Sequence, residues 1–127
     1  MSHQFDPTVG GIIVAADLVG PAGAVELFLA LDTGSTGTLV SESRLRLAGL
    51  DPSQPTGQAH ITFGGGTVTR PMVTALRLTA LGVTVTDFKV VCHTLPPSAG
   101  VDGVLGLDFF EGHVLTIDFV NHTVALT

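Results

Sequence analysis

The run Phe28-Leu29-Ala30-Leu31-Asp32-Thr33-Gly34-Ser35 carries the strongest chemical signal in the chain. An apolar strand leads straight into an acid, and then into small polar residues. A carboxylate at the end of a buried strand is costly to ionise unless it is hydrogen-bonded. Thr33 and Ser35 supply hydroxyls, and Gly34 lets backbone approach closely. A carboxylate held in this way is a candidate acid or base, and the same residues also make an ordinary strand end closed by an Asx-type turn. The remaining reactive residue types are scattered. His60, His93, His113 and His122 show no metal-ligand spacing, so no metal and no cofactor are expected. Cys92 and His93 are neighbours on one strand and point to opposite faces, and Cys92 reads as a small buried hydrophobe. Asp108 and Asp118 read as strand-end or helix-cap acids. Gly100, Gly103 and Gly106 lead into no long helix, which excludes a dinucleotide loop.

The elements that must position Asp32 are mostly strands. Val, Thr, Gly and Leu each occur 16 times, a composition that favours pleated, half-buried segments joined by turns. Strands are expected over 9–18 and 24–31 around a turn at 19–23. Two more, at 58–63 and 67–74, flank Gly64-Gly65-Gly66, and others follow at 75–81, 83–91 and 101–107. Residues 114–119 and 123–126 read as closing strands around Asn121-His122. Helix signals are short. Ser41 can cap a helix over 41–48 that Gly49 closes, and 108–111 can form one turn.

Length and composition bound the function. A chain of 127 residues is one domain, with only 13% charged residues, 45% apolar residues and a net charge of −6. One Lys and four Arg are too few for a nucleic-acid footprint. A single Cys makes no internal disulfide. The most apolar stretch, 10–31, contains Asp17, Glu26 and Pro21, so neither a membrane span nor a signal peptide is expected. The apolar surplus points instead to burial against a second copy. A cytoplasmic location, or a soluble domain of a larger protein, is the corresponding expectation.

Leu31-Asp32-Thr33-Gly34-Ser35 resembles the active-site motif of aspartic proteases, and the order of the other features strengthens the likeness. The triple-Gly hairpin, with Phe63, Gly64, Gly65 and Gly66, falls where that family has its substrate-covering flap. Val104-Leu105-Gly106 resembles the second hallmark, two apolar residues and a Gly, and Leu107-Asp108-Phe109-Phe110 the short helix after it. The chain therefore resembles the retropepsin-like aspartic proteases over residues 9–127. Residues 1–8 are expected to be a flexible leader.

That resemblance implies an all-β, closed barrel-like single domain with one or two short helices. It implies one active site per homodimer, because the chain holds one Asp-Thr-Gly motif where two-lobed members hold two. Asp32 would be the catalytic residue from each protomer. Thr33 and Gly34 would fix the loop, and Ser35 would hydrogen-bond the acid and favour an acidic pH optimum. The implied activity is hydrolysis of peptide bonds between apolar residues, with a peptide or protein as substrate and pockets that include Val40, Ile61 and Leu105. Two departures stand out. Leu107 replaces the Arg or Asn of retroviral members, and Thr36 replaces an acid, so dimer contacts would be mainly apolar. A catalytically silent dimerisation or interaction module, and a small-ligand-binding barrel, are the competing readings.

Overall fold

The computed structural model describes residues 1–127. Its strands are β1 (Ser2–Gln4), β2 (Ile13–Gly20), β3 (Gly23–Leu31), β4 (Leu39–Val40), β5 (Gly57–Phe63), β6 (Gly66–Ala80), β7 (Val83–Cys92), β8 (Gly103–Leu105), β9 (Leu115–Asp118) and β10 (Thr123–Leu126). Two short helices, α1 (Glu42–Leu47) and α2 (Leu107–Phe110), complete the regular structure with a 3-10 turn at Pro97–Ala99.

Six strands close on themselves in the order β2-β3-β8-β4-β7-β6, because β6 also pairs with β2. The alternation of small and branched residues makes this closure possible. Val14, Ala16 and Leu18 of β2 and Leu27 and Leu29 of β3 point inward on every second residue. They meet Leu78, Val90, Leu105 and Phe109 in one continuous core. The interior is thus filled by side chains.

One strand is longer than the sequence pattern suggests. Residues 67–74 and 75–81, expected as two strands, form the single β6. Its inward positions shift from Val73 and Ala75 to Leu78 and Ala80, so the two periods look like separate strands. The shift falls beside Asp87 of β7, which has φ 51°. The first half of β6 carries the β5 hairpin, and the second half closes the barrel against β2.

Other boundaries also differ. Residues 9–12 lie outside β2, and β8 is confined to Gly103–Leu105. Ser41 occupies the N-cap of α1 without a side-chain cap bond; Thr94 Oγ1 accepts from the Glu42 N–H at 3.2 Å instead. Gly49 closes α1 as expected, with φ 81° and the Leu50 N–H donating to Leu45 O at 2.9 Å.

The N-terminal segment departs furthest from expectation. Ser2–Gln4 pair with Thr123–Ala125, giving a separate sheet ordered β1-β10-β9. Phe5 is buried against Phe119 and His122 with edge-on ring contacts. Residues 2–5 are therefore tied to the body rather than a free leader. No helix is long and apolar enough to cross a membrane.

Candidate active site

Asp32 leaves the end of β3 at the point where β8 runs beside it. Leu31 pairs in parallel with Leu105, and the Asp32 N–H donates to Leu105 O at 3.0 Å. The Asp-Thr-Gly loop and the Val-Leu-Gly segment are thus brought together by a long-range strand pair. The Gly34 N–H then donates to Asp32 Oδ1 at 2.8 Å. Gly34 is suited to this, since a Cβ there would sit 3.1 Å from that same oxygen. A backbone donor holds the carboxylate in place.

The loop after Asp32 is stapled to the start of α2. The Leu107 N–H donates to Ser35 O at 2.8 Å, and the Asp108 N–H to Thr36 O at 3.2 Å. Thr38 is the one fully buried polar side chain of the loop. Its hydroxyl donates to Asp108 Oδ1 at 2.7 Å and accepts from the Gly106 N–H at 3.1 Å. The Thr38 N–H donates to Asp108 Oδ2 at 3.1 Å. Both carboxylate oxygens of Asp108 are therefore engaged inside the protomer.

Asp32, Gly34, Ser35 and Val104 open onto one cleft of about 830 Å³, together with Phe63 from the β5–β6 hairpin. Thr33 is exposed and lies outside that cleft. Leu105 and Gly106 are buried behind it, so they shape the loop and do not line the cleft. Gly64, Gly65 and Gly66 form the exposed hairpin tip; Phe63 pairs with Gly66, which leaves Gly64-Gly65 as the turn. Val40 and Leu105, expected as substrate pockets, are wholly buried core residues. The apolar lining comes instead from Ile61, as expected, and from Leu39, Met72, Val91, Leu95 and Val104.

The sequence reading missed Asp108, His60 and His93 as cleft residues. His60 bonds to Thr69 Oγ1 across the hairpin at 3.1 Å, and His93 Nδ1 accepts from Arg70 Nε at 3.2 Å. Burial, and then the Arg70 charge, hold the His93 pKa below the ordinary value. Burial also pushes the Asp108 carboxyl up, against the opposing pull of its Thr38 bonds.

The role expected of Ser35 is corrected. Its hydroxyl donates to Gly37 O at 2.7 Å, not to Asp32. Ser35→Ala should therefore leave the acid limb of any pH–rate profile within about 0.3 units. An upward move of that limb by about one unit would show that the hydroxyl serves the carboxylate after all.

The raised Asp108 pKa has a signed consequence for stability. The folded chain holds this proton more tightly than the unfolded chain. The Asp108 contribution is greatest below the ordinary carboxylate value of 3.8 and declines as pH rises through the folded value. Asn at 108 keeps one acceptor for the Thr38 N–H and places its NH₂ against a hydroxyl that can accept. Urea unfolding of wild type and Asp108→Asn at about pH 3 to 7 should show wild type losing ground to the variant as pH rises. A difference that grows in favour of wild type would contradict the assignment.

A closed barrel that sets an Asp-Thr-Gly loop against an apolar-apolar-Gly turn at one cleft defines the single-domain aspartic protease architecture. The comparisons agree. A family model described as Aspartyl protease matches residues 22–109, more than half of the chain. The chain belongs to the aspartyl protease family, and its fold is retropepsin-like. Among solved structures, a retropepsin-like aspartic protease from Rickettsia conorii is similar, with a TM-score of 0.72 and 16% sequence identity. The likeness covers 99% of this chain and 88% of that one, and at this identity it concerns the fold. No curated protein matches the chain.

Proposed function

We propose that the chain is an aspartic endopeptidase whose active site is completed by a second copy of itself. One observation carries this reading. Asp108 shares the cleft with Asp32, but both its oxygens are bonded to Thr38. The second carboxylate of a catalytic pair must therefore come from elsewhere, and a twofold axis supplies it by bringing Asp32 to its own copy. Half-buried Asp32 stands beside exposed Thr33 and Gly34, which leaves the loop free for such a contact. Phe28, Leu107, Phe119 and Val120 remain exposed and supply apolar surface for association.

The chemistry follows from the pairing. Two carboxylates in contact share one proton, because both cannot ionise easily. The ionised one takes a proton from the water between them, while the protonated one hydrogen-bonds the scissile carbonyl. Water attacks the carbonyl carbon, a proton passes to the leaving amine, and the C–N bond breaks. No acyl-enzyme forms, and the two pKa values belong to the pair. Thr33 and Gly34 support the loop. The β5–β6 hairpin is the flap, with Phe63 over the cleft and Gly64-Gly65 at its tip, closing on the peptide to exclude water. The apolar lining favours apolar residues beside the cleaved bond.

Digestion of denatured casein across about pH 3 to 7 tests the reading, with fragments read by mass spectrometry and association by sedimentation. A dimer that produces defined fragments is expected. A dimer that leaves casein and unstructured peptides intact would favour the silent interaction module. The ligand-binding barrel has less support, since the barrel interior is filled by Leu18, Leu27, Leu29 and Leu78.

A further inference from the structure

The five cationic side chains of this acidic protein occupy two different settings. Arg44 pairs with Asp102 at 3.2 Å, and Arg46 pairs with Glu42 at 3.0 Å and Asp51 at 3.3 Å. Arg70, Arg77 and Lys89 have no carboxylate partner. Two of these three lie on the cleft face of the β5-β6-β7 sheet. Ala59 is paired with Arg70, Gly57 and Val91 with Met72, and Lys89 with Thr74. Directly opposed residues share a face, and so do residues two apart along a strand. Ala59, Met72, Val91 and His93 line the cleft, so the register puts Arg70 and Lys89 on that face, at the margin of the cleft rather than in its lining.

Arg70 is half-buried, and its contacts are few. Nε donates to His93 Nδ1 at 3.2 Å, and Nη1 donates to Thr69 O at 3.3 Å. Accepting at Nδ1 fixes His93 as the neutral tautomer with its proton on Nε2. Neither that Nε2–H nor Arg70 Nη2 has an acceptor within the protein. A partly buried guanidinium left without a counter-charge favours an incoming anion. Neither cleft acid supplies it: Asp32 is held by Gly34, and Asp108 by Thr38.

We propose that Arg70 and His93 form a subsite for an acidic side chain of the bound peptide, with Lys89 adding to its positive field. The proposal rests on the cleft being a peptide site, as proposed above. A Glu or Asp carboxylate would accept from His93 Nε2–H and from the free face of Arg70, at the wall where β7 ends beneath the hairpin. Substrates would then combine an apolar pair at the cleaved bond with an acid at one fixed distance from it. Arg77, which pairs with Val19 on the β2 side, would take no part.

The test uses octapeptides with a central Leu-Phe pair and neutral flanks, with Glu walked through each flanking position and Gln as its match. Two readouts are taken: kcat/KM with the wild-type protein, and Kd with the Asp32→Asn protein. At one position Glu should exceed Gln by about tenfold in both readouts. Arg70→Gln, in each background, should reduce that ratio to about twofold or less, while Arg77→Gln preserves it. Cleavage of the Gln series with no Glu preference at any position would overturn the subsite and leave the endopeptidase reading standing. A Glu preference in Kd without cleavage by wild type would support the subsite and remove the endopeptidase reading. A preference that survives Arg70→Gln, or no measurable binding of any Glu peptide, would also overturn the subsite.

Discussion

Asp32→Asn should lower peptide cleavage by at least about a thousandfold, because the pair would lose the base that activates water. The same substitution should leave the fold intact. Asn keeps a carbonyl oxygen for the Gly34 N–H that now donates to Asp32 Oδ1 at 2.8 Å. Half-exposed Asp32 makes no other side-chain bond in the protomer, so Tm should stay within about 3 °C of wild type. Activity and stability are therefore expected to separate, which a general structural defect would not allow. Steady-state cleavage and differential scanning calorimetry on the same preparations check both halves. Retention of more than about a tenth of the rate would exclude Asp32 as the essential acid–base group.

Gly106→Ala should strongly destabilise the protein through the loop that carries Asp32. A Cβ at 106 would lie 2.4 Å from Gly37 O, 2.6 Å from Gly37 C and 2.8 Å from Ser35 O. All three are backbone atoms, so no side chain can swing aside. The backbone at Gly106 is extended, with φ −102° and ψ −176°, so the penalty is steric and not conformational. Relief of the clash must move the loop over 35–37. That movement would strain the Leu107-to-Ser35 and Asp108-to-Thr36 bonds and the Gly106 N–H bond to Thr38. The expected cost is about 3 kcal/mol or more, a fall in Tm of about 10 °C. Cleavage should fall with it, because the displaced loop carries Asp32. Gly10→Ala is the matched control, since nothing lies within 4 Å of the added carbon. A Gly106→Ala protein within about 1 kcal/mol of wild type would show that the loop yields more easily than these distances imply.

Much of the fold is legible locally. The alternation in 24–31, the glycine turn at 64–66 and the Gly49 helix stop each rest on residues a few positions apart. The Asp32 loop and Val104-Leu105-Gly106 are equally recognisable as short motifs, and the β3–β8 pair brings them together. What escapes is long-range or side-chain-specific. Thr38 and Asp108 meet across 70 residues, and nothing near either one marks the other as its partner. Arg70 and His93 are likewise joined only by the β6–β7 register. The residue type of Ser35 does not say which acceptor its hydroxyl takes, and the loop geometry gives it Gly37 O. Three residues are too few to show a period, so Ser2–Gln4 reads as a leader until β10 offers it an edge. Val40 and Leu105 look suited to a substrate pocket, but barrel closure turns both into the core.

The claim that each active site takes one Asp32 from each of two protomers is tested most directly by mixing. Wild-type and Asp32→Asn proteins are combined at constant total concentration, allowed to exchange protomers, and assayed on a peptide with an apolar central pair. If both carboxylates are needed, only dimers of two wild-type chains cleave, and the rate follows the square of the wild-type fraction. An equal mixture then retains about a quarter of the wild-type rate. A rate that falls linearly, to about half in the equal mixture, would mean that each protomer works alone, and the paired-carboxylate account would be wrong.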